Sequence, residues 1–389
     1  MAIAGAADRP DVVIVGAGAV GCALAWELAG RGRRVAVLDR AGAGEEASAA
    51  AAGLLSPQSD VRSPSPFFDL ALRSLRLYPE WVRVLEEESG ERVGYRRTGL
   101  LRCALSDQEA EGHRSYLWQR ERGLPIEWWD AAAVAERVGP RLTSEATSGV
   151  FFPDEGVVDP RRLTRALAEA ARRRGVEIRA RTEVRRFWVE RSRCRGVETE
   201  AGRLEAGSVV DAAGAWAGFD RGLPFPVPVE PVRGQIVELE LPAEAPALVL
   251  HGEAVYLVPR REGHLLVGST LEHVGFRKEV TAGAVQNLIA QAARLMPEIS
   301  QARFVTAWAG LRPATPDALP VLGGCGIEGL FFATGHYRNG ILLAPLTARL
   351  LADRLTGVET RDLEPFAVSR FSSGAPPGPT PSPSSEVFR

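Results

Sequence analysis

The stretch from Asp11 to Arg40, DVVIVGAGAVGCALAWELAGRGRRVAVLDR, leaves this chain few choices of fold. Four consecutive apolar residues, Val12 to Val15, predict a strand buried on both faces, as parallel sheets require. Gly16, Gly18 and Gly21 then follow the G-x-G-x-x-G spacing and open a helix expected over about residues 19–30, with Cys22, Leu24, Ala25 and Leu28 on its apolar side. A second apolar strand ends at Asp39. In such a unit the first glycine permits the tight turn, the second lets a pyrophosphate approach the backbone, and the third lets helix and strand pack closely. The helix N-terminus offers free N–H groups and a partial positive charge to the phosphates. Asp39 is positioned to accept both ribose hydroxyls, which argues against a 2′-phosphate, although the neighbouring Arg40 softens that argument. The reading is dinucleotide binding.

At 389 residues the chain has room for two domains. A helix is expected over GAGEEASAAAAGLLSP, closed by Pro57, with further helices near 67–89, 106–122, 160–174 and 281–295. Strands are expected near 176–179, 207–212, 235–241, 255–259, 264–269 and 303–308. The central strands succeed one another at hairpin distances, which predicts an antiparallel sheet in a second domain inserted into the first. Strand 330–334 and helix 340–355 return to the nucleotide-binding part. The expected class is therefore α/β with an α+β second domain: a Rossmann-like domain over 11–90, 146–228 and 305–371, and a substrate domain over 91–145 and 229–304. Residues 1–10 and the Pro/Ser-rich end, 372–389, are expected to be disordered. The tryptophans Trp128 and Trp129, with Trp81 and Trp118, read as core or subunit packing rather than a lid.

A formal net charge of -2 gives no electrostatic case for nucleic acid or an anionic membrane as partner. Cys22, Cys103, Cys194 and Cys325 lack metal or disulfide spacing, and the five histidines form no H-x-x-x-H or H-E-x-x-H pattern, so no metal is expected. No run reaches membrane-spanning length, and the opening MAIAGAADRP has no basic start, so a cytoplasmic protein is expected. Lys278 is the single lysine. A lysine base would have to be that residue.

Two later motifs bear on which dinucleotide is bound. VVDAAGAW, residues 209–216, is an apolar strand turning through small residues, with Gly214 open to a close ligand approach. GHYRNGILLAP, residues 335–345, is a polar turn leading straight into an apolar helix. Three separate backbone approaches suit a long cofactor such as FAD. The motif also carries Arg338, a full charge at the mouth of a buried helix, which is costly unless an anion meets it.

With these motifs the chain resembles the D-amino-acid oxidase superfamily of flavoproteins, and most closely the glycine oxidases of thiamine thiazole biosynthesis. The resemblance runs from about residue 11 to 371 through VVIVGAGAVG, SAAAAGLLSP, FFPDEGVVDP, VVDAAGAW, VYLVPR, LLVGST, WAGLRPATPDALPVLG and GHYRNGILLAP. It implies FAD contacts at Gly16, Gly18, Ala19, Val20, Gly21, Asp39, Arg40, Ser48, Ala52, Gly53, Leu54, Val184, Gly214, His336, Tyr337, Arg338, Asn339, Gly340, Ile341 and Leu342. Substrate contacts are implied at Arg338 and Arg312, with Tyr256 as a pocket wall and hydroxyl donor. A guanidinium binds a carboxylate through two parallel hydrogen bonds. The alternative is that either arginine pairs with a structural acid such as Asp317.

The implied activity is oxidation of glycine, small amines or small D-amino acids to the imine, with O2 reduced to H2O2. Catalysis would rest on alignment, with the amine neutral and His336 touching the cofactor rather than acting as a base. The stretch before Thr315-Pro316-Asp317 lacks the cysteine of covalent flavin relatives, so non-covalent FAD is expected. Leu271 stands where glycine oxidases often have a pocket methionine, a nearly volume-conserving change. The resemblance also implies a homo-oligomer, a homotetramer. The alternatives are an N-methyl amino-acid oxidase or amino-acid dehydrogenase of the same superfamily, or a flavin-binding module without chemistry.

Overall fold

The computed structural model describes residues 9–372 apart from 140, 243, 261 and 262. Most of the expected disordered termini lie outside the described residues. Arg9 and Pro10 are described, and both bond to the turn at Ala206 and Gly207.

The opening unit forms a parallel sheet. Strand Val12–Val15 pairs in parallel with Val35–Leu38 on one side and Ser208–Asp211 on the other. The sheet continues to Glu177–Arg179 at one edge, and to Leu330–Thr334 and the antiparallel Val321–Gly324 at the other. The uninterrupted apolar run has a simple cause. Val12 and Ile14 face a layer of helices, while Val13 and Val15 face a three-stranded meander over residues 184–205 that presents Phe187 and Val197. Both faces are covered, so neither can be polar.

The helix layer packs Ala19–Gly30 against Pro160–Arg173 and Gly340–Leu355, with Pro66–Ser89 behind them. Pro345 sits inside the helix Gly340–Leu355. Lacking an N–H, it leaves the Ile341 carbonyl without its helical donor. The Tyr78 hydroxyl, from the helix Pro66–Ser89, donates to that carbonyl instead, and Ser74 donates to Leu342 O at 2.7 Å. The turn leading into the helix Gly340–Leu355 is thereby pinned from outside.

The second sheet has eight strands, in the order 303–314, 230–240, 264–268, 256–259, 249–251, 100–104, 148–152, 127–130. All neighbours are antiparallel except Val249–His251 with Leu100–Ala104. Strand Arg303–Ala314 is longer than its apolar pattern implied. It pairs with Glu230–Glu240 along its whole length, from Arg303 opposite Glu240 to Ala314 opposite Glu230. Arg312 therefore sits inside this ladder rather than beyond its end.

Other expectations are corrected. The stretch expected as one helix up to Pro57 is helical only over Ala47–Ala50, and Pro57 begins a short turn of helix instead of closing one. The helix expected over 106–122 is three short pieces. Glu127–Asp130 is a strand: Trp129 stacks on Phe151 at 4.5 Å, while Trp128 stays partly exposed. Trp81 lies in the helix layer against Trp26 and Tyr78. Strands 100–104 and 148–152, absent from the sequence reading, owe their conformation to sheet partners far away in the chain.

Candidate active site

Between the two sheets runs a cavity of about 1780 Å³, its open mouth included. Its lining runs from Gly16 and Asp39 at one end to Arg312 and Arg338 at the other. It begins at the carboxyl ends of the parallel strands, where open α/β sheets bind ligands.

One end is built by the opening motif. Gly16 takes a φ of +106°, closed to ordinary side chains. A Cβ on Gly21 would run into the Gly16 carbonyl, so helix and strand touch there. Gly18, Ala19 and Val20 line the cavity at the start of the helix Ala19–Gly30, and Gly18, its N-cap residue, offers no capping side chain. Ser48 Oγ accepts from Ala19 N–H at 2.9 Å. Asp39 lines the same end, with Oδ2 accepting from Ala17 N–H at 2.7 Å and Oδ1 from Ala41 N–H at 2.8 Å. Each carboxylate oxygen keeps a second lone pair for a ligand hydroxyl. Ala52, Gly53 and Leu54 line the middle, where the half-buried Arg260 donates to Ala52 O at 2.6 Å. Val184 and Gly214 complete the wall. A donor-lined, side-chain-poor cradle followed by a long trough fits an extended dinucleotide.

The other end is built by the turn 335–341. Tyr337 adopts a φ of +49°, strained for a non-glycine residue, and its N–H donates to Pro313 O at 2.9 Å. This ties the turn to the strand that carries Arg312. His336, Tyr337, Arg338, Asn339, Gly340 and Ile341 all line the cavity. His336 is buried, with Nε2 at 3.2 Å from Thr347 Oγ1, and burial pushes its ring down to about 4. It is neutral and faces its own helix. Leu342, expected among the cofactor contacts, does not line the cavity; it is 1% exposed in the helix-layer core, because the helix has by then turned its side chain inward. Leu271 is likewise absent from the lining, where Ser269 is found instead.

Arg312 is held rigidly. Nη1 donates to Thr270 O at 3.0 Å and Nη2 to Ser269 Oγ at 2.6 Å. Its guanidinium covers Gly234 so closely that a Cβ there would collide with it. Burial lowers its pKa, and the nearby Arg338 adds to that. Asp317, the acid considered for either arginine, is engaged elsewhere, since Arg370 Nε donates to it at 2.7 Å. Arg338 faces a different acid. Its Nη2 lies 3.7 Å from Asp60 Oδ2, beyond hydrogen-bond length, and Asp60 raises its pKa. Tyr256 stands over Gly268 at the same end.

Several lining residues escaped the sequence reading. Asp60 sits on the turn Pro57–Asp60, which is fixed by the fully buried Glu155: its Oε1 accepts from Gln58 N–H at 2.6 Å and Ser59 N–H at 2.8 Å. His251 lies in a strand between Arg102 and Tyr256, and its Nδ1 is 2.6 Å from Gly252 O, so that nitrogen carries the hydrogen. Burial, then Arg102, holds the ring well below its ordinary value. Neither residue has a local spacing signal. Trp216 and Arg221 also line the wall, the first from inside the motif VVDAAGAW.

A profile of the FAD dependent oxidoreductase family (DAO) matches residues 11–354. The chain is 40% identical over 370 residues to the glycine oxidase of Geobacillus kaustophilus, covering 93% of this chain and 97% of that protein. The crystal structure of glycine oxidase from Geobacillus kaustophilus superposes with a TM-score of 0.89 at 39% identity, covering 93% of this chain and 99% of that one. The bifunctional protein ThiO/ThiG of Trichormus variabilis is 38% identical over 370 residues, covering 94% of this chain. The chain spans 56% of that relative's length. Among the described residues no helix is long and apolar enough to cross a membrane.

Proposed function

From the premise that the chain belongs to the DAO family of FAD-dependent oxidoreductases, we propose that it oxidises glycine and other small amino acids to their imines. The observation that carries this reading is the pair of arginines at one end of the cavity between the two sheets. Arg312 is fixed by Ser269 and Thr270, and Arg338 has an acid near it but no close hydrogen bond to that acid.

Bound FAD supplies an acceptor for two electrons from the substrate's α C–H bond. Gly16, Gly18, Ala19, Val20, Gly21, Asp39 and Ser48 would hold its nucleotide part, and the turn from His336 to Ile341 would hold its other end. Arg338 binds the substrate carboxylate, with Arg312 as second cation, and Tyr256 walls the pocket. The substrate reacts with its amine neutral. The neutral amine keeps its lone pair for the forming C=N bond. Alignment rather than a proton-abstracting base then sets the rate. The imine would be released to water or supplied to thiazole synthesis for thiamine, with O2 as the final acceptor giving H2O2.

The nucleotide-binding and substrate-binding parts divide along the two sheets, which assigns the strands Ser148–Phe152 and Arg303–Ala314 to the substrate side rather than to the nucleotide-binding part expected from the sequence. The lining contains no cysteine, which supports non-covalent FAD; denaturing precipitation is expected to leave all flavin in the supernatant. A cytoplasmic homotetramer completes the reading, with light scattering as its check.

Anaerobic titration of the yellow protein with glycine, sarcosine and D-alanine tests the whole. Bleaching of the flavin band by glycine, and stoichiometric peroxide once air is admitted, is the expected result. Bleaching by sarcosine alone would move the chain to N-methyl amino acids. A band that no amine bleaches would end the catalytic reading.

A further inference from the structure

Residues 271–280 leave the eight-stranded sheet after Gly268 and return to it through the helix Ala282–Leu295. Both ends of this loop are tied to the strand Glu230–Glu240. Arg233, itself buried, donates through Nε to Glu272 Oε2 at 2.7 Å and through Nη1 to Glu279 O at 2.9 Å. Gln235, fully buried, donates to Glu272 Oε1 at 2.7 Å and accepts from Thr281 N–H at 2.8 Å. With its ends fixed by buried polar groups, the loop holds its tip in one direction.

That tip lands on the other layer, at the nucleotide end of the cavity. Lys278 Nζ stands 3.0 Å from Glu46 Oε2, and Arg40 Nη2 stands 2.8 Å from Glu46 Oε1. One carboxylate thus bridges the two cations. The Arg40 guanidinium lies 3.6 Å above the Trp216 ring. Phe276 packs on Trp216 with ring centroids 5.4 Å apart and on Phe219 at 5.0 Å. Arg40, Glu46 and Trp216 line the cavity beside Asp39, whereas Phe276 and Lys278 stand outside and grip them.

We infer that this loop is a clasp over the nucleotide end of the cavity, and that Phe276 and Lys278 retain FAD by holding Arg40, Glu46 and Trp216 in their cavity-lining positions. The single lysine of the chain has its role here. A cofactor held without a covalent bond stays bound only as long as its cavity wall stays closed. This wall is closed by an aromatic contact and an ion pair spanning the two sheets. The inference rests on FAD as the bound group, not on glycine as the substrate.

The test uses full-length wild type, Phe276→Ala, Lys278→Ala and Lys278→Arg, each as holoprotein and after removal of FAD. Release is read as recovery of free-flavin fluorescence on dilution, and Kd by titrating FAD into the apoprotein. Phe276→Ala is expected to raise Kd and the release rate about 2- to 10-fold, the size of one aromatic contact. Lys278→Ala is expected to raise them about two- to threefold at low salt, with Lys278→Arg close to wild type. Added salt should bring wild-type release towards that of Lys278→Ala. Unchanged Kd and release in both alanine variants would overturn the inference, and a lower Tm with unchanged release would reduce the loop to packing. Purified wild type without a flavin spectrum would sink the FAD reading itself, whereas flavin that binds but is not reduced by glycine would sink only the substrate and leave the clasp standing.

Discussion

Tyr78 donates its hydroxyl hydrogen to the carbonyl of Ile341, 2.5 Å away, where Pro345 has removed the backbone donor that carbonyl would otherwise have. The two residues lie 263 positions apart, yet together they fix the first turn of the helix that carries the substrate-facing loop. The bond is fully buried, so no water replaces it if it is lost. Tyr78→Phe is therefore expected to cost about 1–3 kcal/mol of stability, the cost of a buried carbonyl left unsatisfied. It should also raise KM for glycine, because the turn 336–341 is less firmly seated. Thermal unfolding and steady-state kinetics check both. An unchanged Tm would mean that the carbonyl finds another partner.

Arg338 offers the sharpest test of substrate recognition. Arg338→Ala should lower kcat/KM for glycine by the equivalent of about 2–5 kcal/mol, as expected when one partner of a charge-assisted pair disappears. Arg338→Lys should recover only part of this, since an ammonium lacks the planar fork. Undiminished turnover and affinity in the alanine variant would remove the carboxylate assignment.

Asp60 competes for that same guanidinium at 3.7 Å. A substrate carboxylate arriving at Arg338 meets a like charge, so Asp60→Asn is expected to lower KM for glycine and Ki for simple carboxylate inhibitors. A partly exposed pair of this kind is worth about 0.5–1 kcal/mol, or roughly two- to fivefold. A higher KM would instead assign Asp60 to the substrate's amine.

Glu155 provides a pH signature. Burial pushes its carboxyl up to about 8, and its Oε1 holds the turn that presents Asp60. Between the ordinary carboxyl value and 8 the folded chain keeps a proton that the unfolded chain has released. Stability through this group therefore falls as pH rises across that window and levels off above it. Glu155→Gln keeps the acceptor and removes the titration. Relative to wild type, its Tm should be similar near pH 5 and higher near pH 8.5. Parallel pH profiles would refute the assignment.

His336 works in the opposite direction. Burial holds its ring down to about 4, so the unfolded chain takes up a proton near 6.5 while the folded chain does not. The contribution is fully present above about 6.5 and is lost as pH falls towards 4. Wild type should lose Tm across that interval, and His336→Gln should lose less of it. A kcat–pH profile checks separately that His336 is no catalytic base: its acid limb should not fall near 4.

How much of this was legible in the residues depends on the distance over which each feature is decided. The unit from Val12 to Asp39 is local: apolar run, glycine spacing and terminal acid lie within one short stretch, and strand, helix and ligand end all follow from it. The turn and helix from Gly335 to Leu355 were legible for the same reason, and so was the charge of Arg338 at its mouth. Tertiary pairing alone decided the rest. Strands 100–104 and 148–152 exist because each has the other as a partner, and no short-range pattern announces that. Asp60 reaches Arg338 only because Glu155, nearly a hundred residues on, collects the N–H groups of its turn. Spacing along the chain encodes what neighbouring residues must do; which acid faces which arginine is set by burial and by where distant strands meet.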